Sequence, residues 1–417
     1  MMKEKKSPPS FERLAISLFG KEIPSPLIVG SGTLIETHED IEPFLLSGVG
    51  GIVPRTTRKI LERPSHPVPH LYQAGSKKFP IMINAEWTGA DIHYWRPYLE
   101  RMAANNRTIM SISGRDIAGC LAVCKELDLF QGWLYFEINI SCAHSNHEHG
   151  MITRDMLHIK EVVSSLKQAG LRTPIALKLG HSDYILDLAN VAKEAGVDAI
   201  VAINTYGPVF DFSINERGEP EPIVGIRGGK GGLSGAPIFQ IALTDIAEIK
   251  RQIDITVIGC GGVVTAENVV KMLMAGASAV QVYTAAHMEG INAPAYFTKT
   301  NEKILHYMDT HNINNIRILE GKALPILEQK TELQLKVPVV NEKNCIGCDL
   351  CIPICLPKAI TIRPSDGANK YNHVVEINAD ICIGCGHCIP VCPTSPKSLT
   401  LSQDFVWNAE EIGVLNT

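Results

Sequence analysis

No apolar run in this 417-residue chain approaches the roughly 20 residues that a helix needs to cross a bilayer. The opening MMKEKKSPPS lacks the apolar segment of a secretory signal, so residues 1–14 read as a polar tail. An excess of basic charge is also missing. With 39 Lys and Arg against 44 Asp and Glu the net charge is −5, which argues against nucleic acid or an acidic membrane as partner. Nowhere does the G-x-G-x-x-G spacing of a dinucleotide-binding turn occur, so no NAD or FAD site is expected on this chain. Without a secretory context, the 12 cysteines point to metal or catalytic use in a reducing compartment, hence the cytoplasm.

What the chain has is an ordinary globular composition, 45% hydrophobic and 20% charged, with core enough for two or three domains. It also has a concentrated cysteine pattern. Cys345-Ile-Gly-Cys348-Asp-Leu-Cys351-Ile-Pro-Ile-Cys355 is followed by Cys382-Ile-Gly-Cys385-Gly-His-Cys388-Ile-Pro-Val-Cys392-Pro393. Two C-x2-C-x2-C-x3-C runs are the spacing of a bacterial two-cluster ferredoxin, in which the fourth cysteine of each run reaches the other cluster. On that pattern Cys345, Cys348, Cys351 and Cys392 hold one [4Fe–4S] cluster, and Cys382, Cys385, Cys388 and Cys355 hold the second. Structural zinc sites would use cysteines in separate pairs instead. Leu356 stands where proline usually follows the fourth cysteine, with Pro357 one residue later.

Ahead of the cysteines, residues 25–290 alternate short Val/Ile-rich runs with amphipathic segments, the signature of buried parallel strands joined by helices. Nine strand candidates emerge: Pro26–Gly30, Gly51–Arg55, Pro80–Asn84, Ile109–Ser113, Tyr135–Ser141, Ile175–Gly180, Ala199–Asn204, Thr256–Cys260 and Ala279–Thr284. The number favours a (β/α)8 TIM barrel, with Pro80–Asn84, in an aromatic-rich stretch, as the strand outside it. The α/β fold class is then a barrel over residues 15–317, a charged linker over 318–340, a small α+β two-cluster ferredoxin-like domain over 341–403, and a tail over 404–417. Two glycine-rich runs, GIRGGKGGLSG from Gly225 and IGCGGVV from Ile258, suit either a phosphate cradle at the last strands or tight turns that bind nothing.

Catalytic residues of such barrels sit at strand C-termini. There the chain offers Asn139, with Cys142 three residues on, Lys178, and Asn204 with Thr205. A cysteine over a flavin is a plausible acid or base. Each asparagine offers one acceptor and two donors to an amide or imide edge. Lys178 can stabilise negative charge on a reduced cofactor. The plainer alternatives are a helix cap for Asn204 and a barrel-mouth ion pair for Lys178. Cys120 and Cys124 suit the buried face of a helix, and Cys260 a small core residue. His144, His147 and His149 flank Glu148 with irregular spacing, more in keeping with a solvated loop than a metal site.

These residues resemble the dihydroorotate dehydrogenase superfamily. With the C-terminal clusters, the chain is most similar to the barrel-plus-ferredoxin catalytic subunit of NAD-dependent dihydropyrimidine dehydrogenases. The resemblance covers about residues 15–295 and 341–400, and its most specific motif is Asn139-Ile-Ser-Cys142-Ala-His144. It implies a bound FMN contacted by Ser31, Gly32, Thr56, Ser111, Lys178, Ser234, Gly235, Gly261, Gly262, Tyr283 and Thr284. It also implies Cys142 as the proton donor, Asn139, Asn204 and Thr205 as the pyrimidine grip, and two [4Fe–4S] clusters feeding the flavin. The small-molecule substrate would be a pyrimidine-like ring with a conjugated C=C. The partner implied is an electron-carrying protein, either a FAD- and NAD-binding subunit or ferredoxin, in a homodimer or heterotetramer. Three departures stand out: Ala143 for the motif's proline, Arg55 for a lysine, and Gly114-Arg115-Asp116 where an asparagine is expected. They leave open a non-pyrimidine, carboxylated ring as substrate with ferredoxin as electron donor. An electron-transfer subunit whose barrel is only a docking scaffold is the alternative of another class.

Overall fold

The computed structural model describes residues 11–58, 71–84, 90–114, 116–140, 146–147, 150–151, 155–224, 230–328, 332–333, 337–365, 372–401 and 407–408. The chain divides into two compact units, 1–327 and 328–417. Among the described residues no helix is long and apolar enough to cross a membrane.

In the first unit eight parallel strands close into a barrel: β1 (Leu27–Val29), β2 (Gly51–Ile52), β3 (Met110–Ser113), β4 (Phe136–Asn139), β5 (Ile175–Leu179), β6 (Ala199–Ala202), β7 (Thr256–Cys260) and β8 (Ala279–Val282). The hydrogen-bonded order runs β2-β1-β8-β7-β6-β5-β4-β3, and two-residue strands at Thr57–Arg58 and Ala90–Asp91 continue the sheet past β3. The ring shuts where Ile52 N donates to Arg107 O (3.0 Å) and Ile109 N donates to Ile52 O (2.8 Å). These strands form because branched and other apolar side chains suit a sheet buried on both faces. Leu27, Ile28 and Val29 are fully buried, as are Ala199, Ile200, Val201 and Ala202. Eight of the nine predicted segments are barrel strands. The ninth, Phe79–Asn84, lies in a separate antiparallel sheet ordered Tyr206–Phe210, Lys230–Gly235, Phe79–Asn84, Leu71–Ser76.

Helices cover the outside through their apolar stripes. Met156–Gln168 buries Ile159, Val162, Val163 and Leu166, an i, i+3, i+4, i+7 set, and Asp155 caps it by accepting from His158 N at 2.9 Å. The expected cysteine-bearing helix is Ile117–Leu127, with Cys120 and Cys124 buried. The last barrel helix, Ala293–Thr310, is anchored by a buried amide. Asn301 Oδ1 accepts from Ser25 Oγ (2.7 Å), and its Nδ2 donates to Gly48 O (3.1 Å). Beyond it, residues placed at the start of the linker lie on the barrel: Leu319 is buried, and Ala323 N donates to Met274 O at 2.8 Å.

The first glycine-rich run is not a turn in its described part, which is the strand Lys230–Gly235. Its glycines are there for close packing, since a Cβ on Gly232 would lie 2.3 Å from Thr205 Oγ1 and one on Gly231 would lie 2.5 Å from Ile83 Cγ2. The second run is a strand-to-helix turn, with Gly261 at φ +117° and Gly262 at φ +74°.

Among the described residues the second unit has three short antiparallel pairs, Glu332–Leu333 with Trp407–Asn408, Val339–Val340 with Leu399–Thr400 and Ile360–Pro364 with His373–Ile377, and a helical turn at Cys388–Val391. Its buried core consists of Cys345, Cys351, Ile360, Val374, Val375, Cys388, Cys392 and Leu399.

Replacing Asn301 with alanine leaves two buried partners unsatisfied, and should cost about 1–3 kcal/mol of barrel stability. Urea unfolding of the first unit, followed by tryptophan fluorescence, measures it; an unchanged midpoint would remove the anchoring role of this amide.

Candidate active site

Alternation along β4 and the residue before it places Tyr135, Glu137 and Asn139 on one face, climbing from the barrel interior toward the C-terminal mouth. Asn139 is paired in register with Lys178 of β5. The Lys178 ammonium donates to Glu137 Oε1 (3.2 Å) and to Gln281 Oε1 on β8 (2.9 Å). Gln281 Nε2 in turn donates to the Tyr135 hydroxyl (3.2 Å) and to Glu137 Oε2 (2.5 Å). Glu137 is fully buried and Lys178 nearly so. Burial alone would lower the Lys178 pKa, but the Glu137 charge raises it above its ordinary value, so the ammonium stays protonated. Burial pushes the Cys260 thiol on β7 up, against the pull of the same ammonium.

Beside this cluster, one chain of hydrogen bonds ties β3, β4 and the segments that follow β2 and β6 together. Thr56 Oγ1 and Ser111 Oγ are 3.0 Å apart, Asn139 Nδ2 donates to Thr56 Oγ1 (3.4 Å), and Asn204 Nδ2 donates to Asn139 Oδ1 (3.3 Å). A second group gathers near β1 and β8. Ser31 Oγ donates to Pro54 O (3.0 Å), Tyr283 OH lies 2.7 Å from Thr33 Oγ1, and Thr284 Oγ1 donates to Ser234 Oγ (2.9 Å). Gly32 and Gly235 allow this crowding, since a Cβ on Gly32 would lie 2.3 Å from the Tyr283 ring and one on Gly235 would lie 2.1 Å from Pro80 O. Gly262 abuts the first residue of the helix Phe239–Gln252, where a Cβ would fall 2.4 Å from Phe239 N. Hydroxyls, amides and an ammonium around one barrel mouth form a donor-rich set that fits a flavin with its phosphate. Cys142, the histidines at 144, 147 and 149, and Arg115 lie outside the residues whose side chains are described.

Sequence reasoning missed Glu137, Gln281 and Tyr135. A charged residue inside the otherwise hydrophobic run from Trp133 to Ile138 was the available signal. It also missed Glu36, whose two carboxylate oxygens each sit 2.8 Å from Arg55 Nη1, and Asp245, which pairs with His181 Nδ1 at 2.9 Å. Burial raises the Asp245 pKa, against the bond from His181. Neither pair has a local sequence signal, because the partners are brought together only by the barrel.

In the second unit the cysteines line two cavities. One, of about 320 Å³ and partly open to solvent, is bounded by Cys345, Cys348, Cys351 and Cys392 together with Thr394 and Ser398. The other, of about 340 Å³, is bounded by Cys355, Cys382, Cys385 and Cys388. A zinc ion would draw sulfurs to about 2.3 Å. Among the described residues no three His, Cys, Asp or Glu converge to hold one metal ion, so thiols spread around a void fit a multi-iron cluster better. Burial pushes the Cys351 thiol up to about 11. Cys392 is also pushed up by burial, yet bonds from the Thr394 hydroxyl and the N–H groups of Thr394, Ser398 and Leu399 bring it down to about 7.

Comparison with known proteins shows the same division. Residues 13–308 match the family model "Dihydroorotate dehydrogenase", and residues 344–395 match "4Fe-4S dicluster domain". The chain is 30% identical over 316 residues to the "Dihydroorotate dehydrogenase B (NAD(+)), catalytic subunit" of Thermococcus kodakarensis, covering 75% of this chain and 98% of the relative. It is 28% identical over 286 residues to the "Dihydroorotate dehydrogenase A (fumarate)" of Limosilactobacillus reuteri, covering 68% and 90%. Among solved structures, a dihydroorotate dehydrogenase of Eimeria tenella in complex with ferulenol superposes with a TM-score of 0.59 at 18% identity, over 77% of this chain and 90% of that one, a likeness of fold.

Removing one member of the buried pair strands the other charge, so Lys178→Met should destabilise the barrel by about 3–5 kcal/mol, and Lys178→Met with Glu137→Gln by less. Because the folded pKa of Lys178 lies above its unfolded 10.5, its contribution is complete below that pH and is lost only in more alkaline solution. The advantage of wild type over Lys178→Met should therefore narrow in strongly alkaline solution, as thermal unfolding at neutral and alkaline pH would measure.

Proposed function

The chain belongs to the dihydroorotate dehydrogenase family and is a flavin- and iron–sulfur-dependent oxidoreductase acting on CH–CH groups; from that premise we propose that its substrate is a neutral, pyrimidine-like ring. The main support is the linked set Ser111, Thr56, Asn139 and Asn204, in which Asn139 stands in register beside Lys178. Bound FMN would supply hydride transfer at N5 to or from a conjugated C=C, and two bound [4Fe–4S] clusters would supply single electrons.

The chain's own residues do the rest. Asn139 and Asn204, held by each other and by Thr56, present amide groups to the ring's imide edge, with Thr205 beside them. Ser31, Gly32, Thr56, Ser111, Ser234, Gly235, Gly261, Gly262, Tyr283 and Thr284 line the flavin site. Lys178, kept protonated by Glu137, is the fixed positive charge at its floor. Cys142 Sγ carries the proton to or from the carbon next to the one that exchanges hydride. Cys345, Cys348, Cys351 and Cys392 hold one cluster, and Cys382, Cys385, Cys388 and Cys355 the other.

Arg55 bears on which ring is accepted. Its guanidinium is engaged by Glu36, so its charge is compensated, as is that of Lys178. This favours a neutral ring over a carboxylated one. Electrons would come from a partner protein. The relatives that are catalytic subunits of an NAD(+) enzyme support a FAD- and NAD-binding subunit, as in the dihydropyrimidine dehydrogenases, over free ferredoxin.

Anaerobic reconstitution should give about one FMN and about eight iron per chain. Uracil or thymine should then reoxidise the reduced flavin; inactivity with both, or activity with dihydroorotate alone, would sink the proposal of a neutral ring. Cys142→Ala should retain FMN and lose about 10²–10⁴-fold in turnover. Glu36→Gln, which uncovers the Arg55 charge, should tighten orotate binding several-fold relative to uracil, as read from flavin absorbance titrations; an unchanged ratio would remove Arg55 from the specificity argument.

A further inference from the structure

The two cysteine runs repeat each other as C-I-G-C-x-x-C-I-P-x-C, but the residues just past them differ. Two residues past Cys392 stands Thr394, and two residues past Cys355 stands Pro357. The Thr394 hydroxyl lies 3.2 Å from Cys392 Sγ. Ser398 N donates to the same hydroxyl oxygen at 2.9 Å, which occupies one of its lone pairs and leaves its proton for the sulfur. A metal-bound Cys392 is a thiolate with no proton to give, so Thr394 is then the donor. On the same side, Lys397 Nζ donates to Cys392 O (2.6 Å) and Pro390 O (3.0 Å), bringing an ammonium to the peptide of that cysteine.

The other site has nothing equivalent among the described residues. Pro357 has neither a hydroxyl nor an N–H. There Cys355 Sγ accepts from Ala359 N (3.3 Å) and Cys382 Sγ from Gly384 N (3.4 Å), ordinary backbone contacts.

We propose that Thr394 sets the two clusters at different reduction potentials, making the one held by Cys345, Cys348, Cys351 and Cys392 the easier to reduce. The proposal rests on the ligand assignment above. Reduction adds one electron to a [4Fe–4S]2+ core to give [4Fe–4S]1+, with no bond made or broken. The electron comes from the protein partner or, in vitro, from dithionite. The product is the more negative state, so a hydrogen-bond donor on a ligand sulfur stabilises it and raises the potential. Thr394 is a tuning residue: it touches a ligand and neither substrate nor flavin. An electron entering the relay rests at this cluster, and the Pro357 side is the uphill station.

Potentiometric titration of the full chain with dithionite, followed by low-temperature EPR and preceded by iron analysis, tests this. Wild type should show two separated midpoints. Thr394→Val should lower the higher midpoint and narrow the gap, leaving the lower one in place, and Thr394→Ser should restore the gap. Thr394→Ala, which adds no bulk near the sulfur, carries the same expectation should the valine variant lose iron. Unchanged midpoints in an iron-replete variant, or an equal fall in both, would overturn the proposal. Iron well below about eight per chain in the wild type would overturn the ligand assignment itself, before any variant is made.

Discussion

A lysine ammonium inside a barrel of apolar strands is tolerated only if something meets its charge, and in this protein Glu137 and Gln281 do so from two other strands. That requirement fixes more than one residue. It commits β4, β5 and β8 to a register in which Lys178 stands beside Asn139 while its ammonium reaches back to Glu137 and across to Gln281. Asn139, two residues on from Glu137, then meets the Thr56 hydroxyl, which in turn meets Ser111. The polar chemistry of the mouth is thus built on a compensated charge below it. Exchanging the ion pair for apolar residues of similar volume would leave the barrel sound but take away the fixed ammonium.

The second unit is constrained differently. Half of its buried core is cysteine, with Ile360, Val374, Val375 and Leu399 as the remainder. A core this small supplies too little apolar burial to hold a domain by itself, and small domains of this kind are stapled by metal. On the proposed ligand assignment the cysteines have two duties, as ligands for the relay and as the means by which the unit acquires a fixed structure.

Much of this was legible in the sequence, and the exceptions share one cause. Val/Ile runs at regular spacing mark the barrel strands, and the position of Pro80–Asn84 among aromatics set it apart from them. The cysteine spacing pairs Cys392 with the first run although 37 residues separate Cys345 from Cys382, because the motif itself encodes the crossing. Lys178 was readable as either a functional cation or a barrel-mouth ion pair; it is an ion pair, placed under the mouth. What could not be read were partners contributed by distant elements: Glu36 for Arg55, Asp245 for His181, Gln281 for Lys178. Side-chain alternation tells which way a residue points, but says nothing of what awaits it across the barrel. The glycines of Lys230–Gly235 illustrate the same limit, since the need for small residues comes from Thr205 and Ile83, which belong to other segments.

The antiparallel sheet beside the mouth has a consequence for how the protein is made. Its two central strands, Phe79–Asn84 and Lys230–Gly235, are paired with Asn84 opposite Gly232, and β3 through β6 lie between them in the chain. Closing so long a loop is entropically costly until the intervening strands are ordered. This wall therefore cannot form during synthesis before the whole segment carrying β3 through β6 has been made, so its pairing depends on theirs.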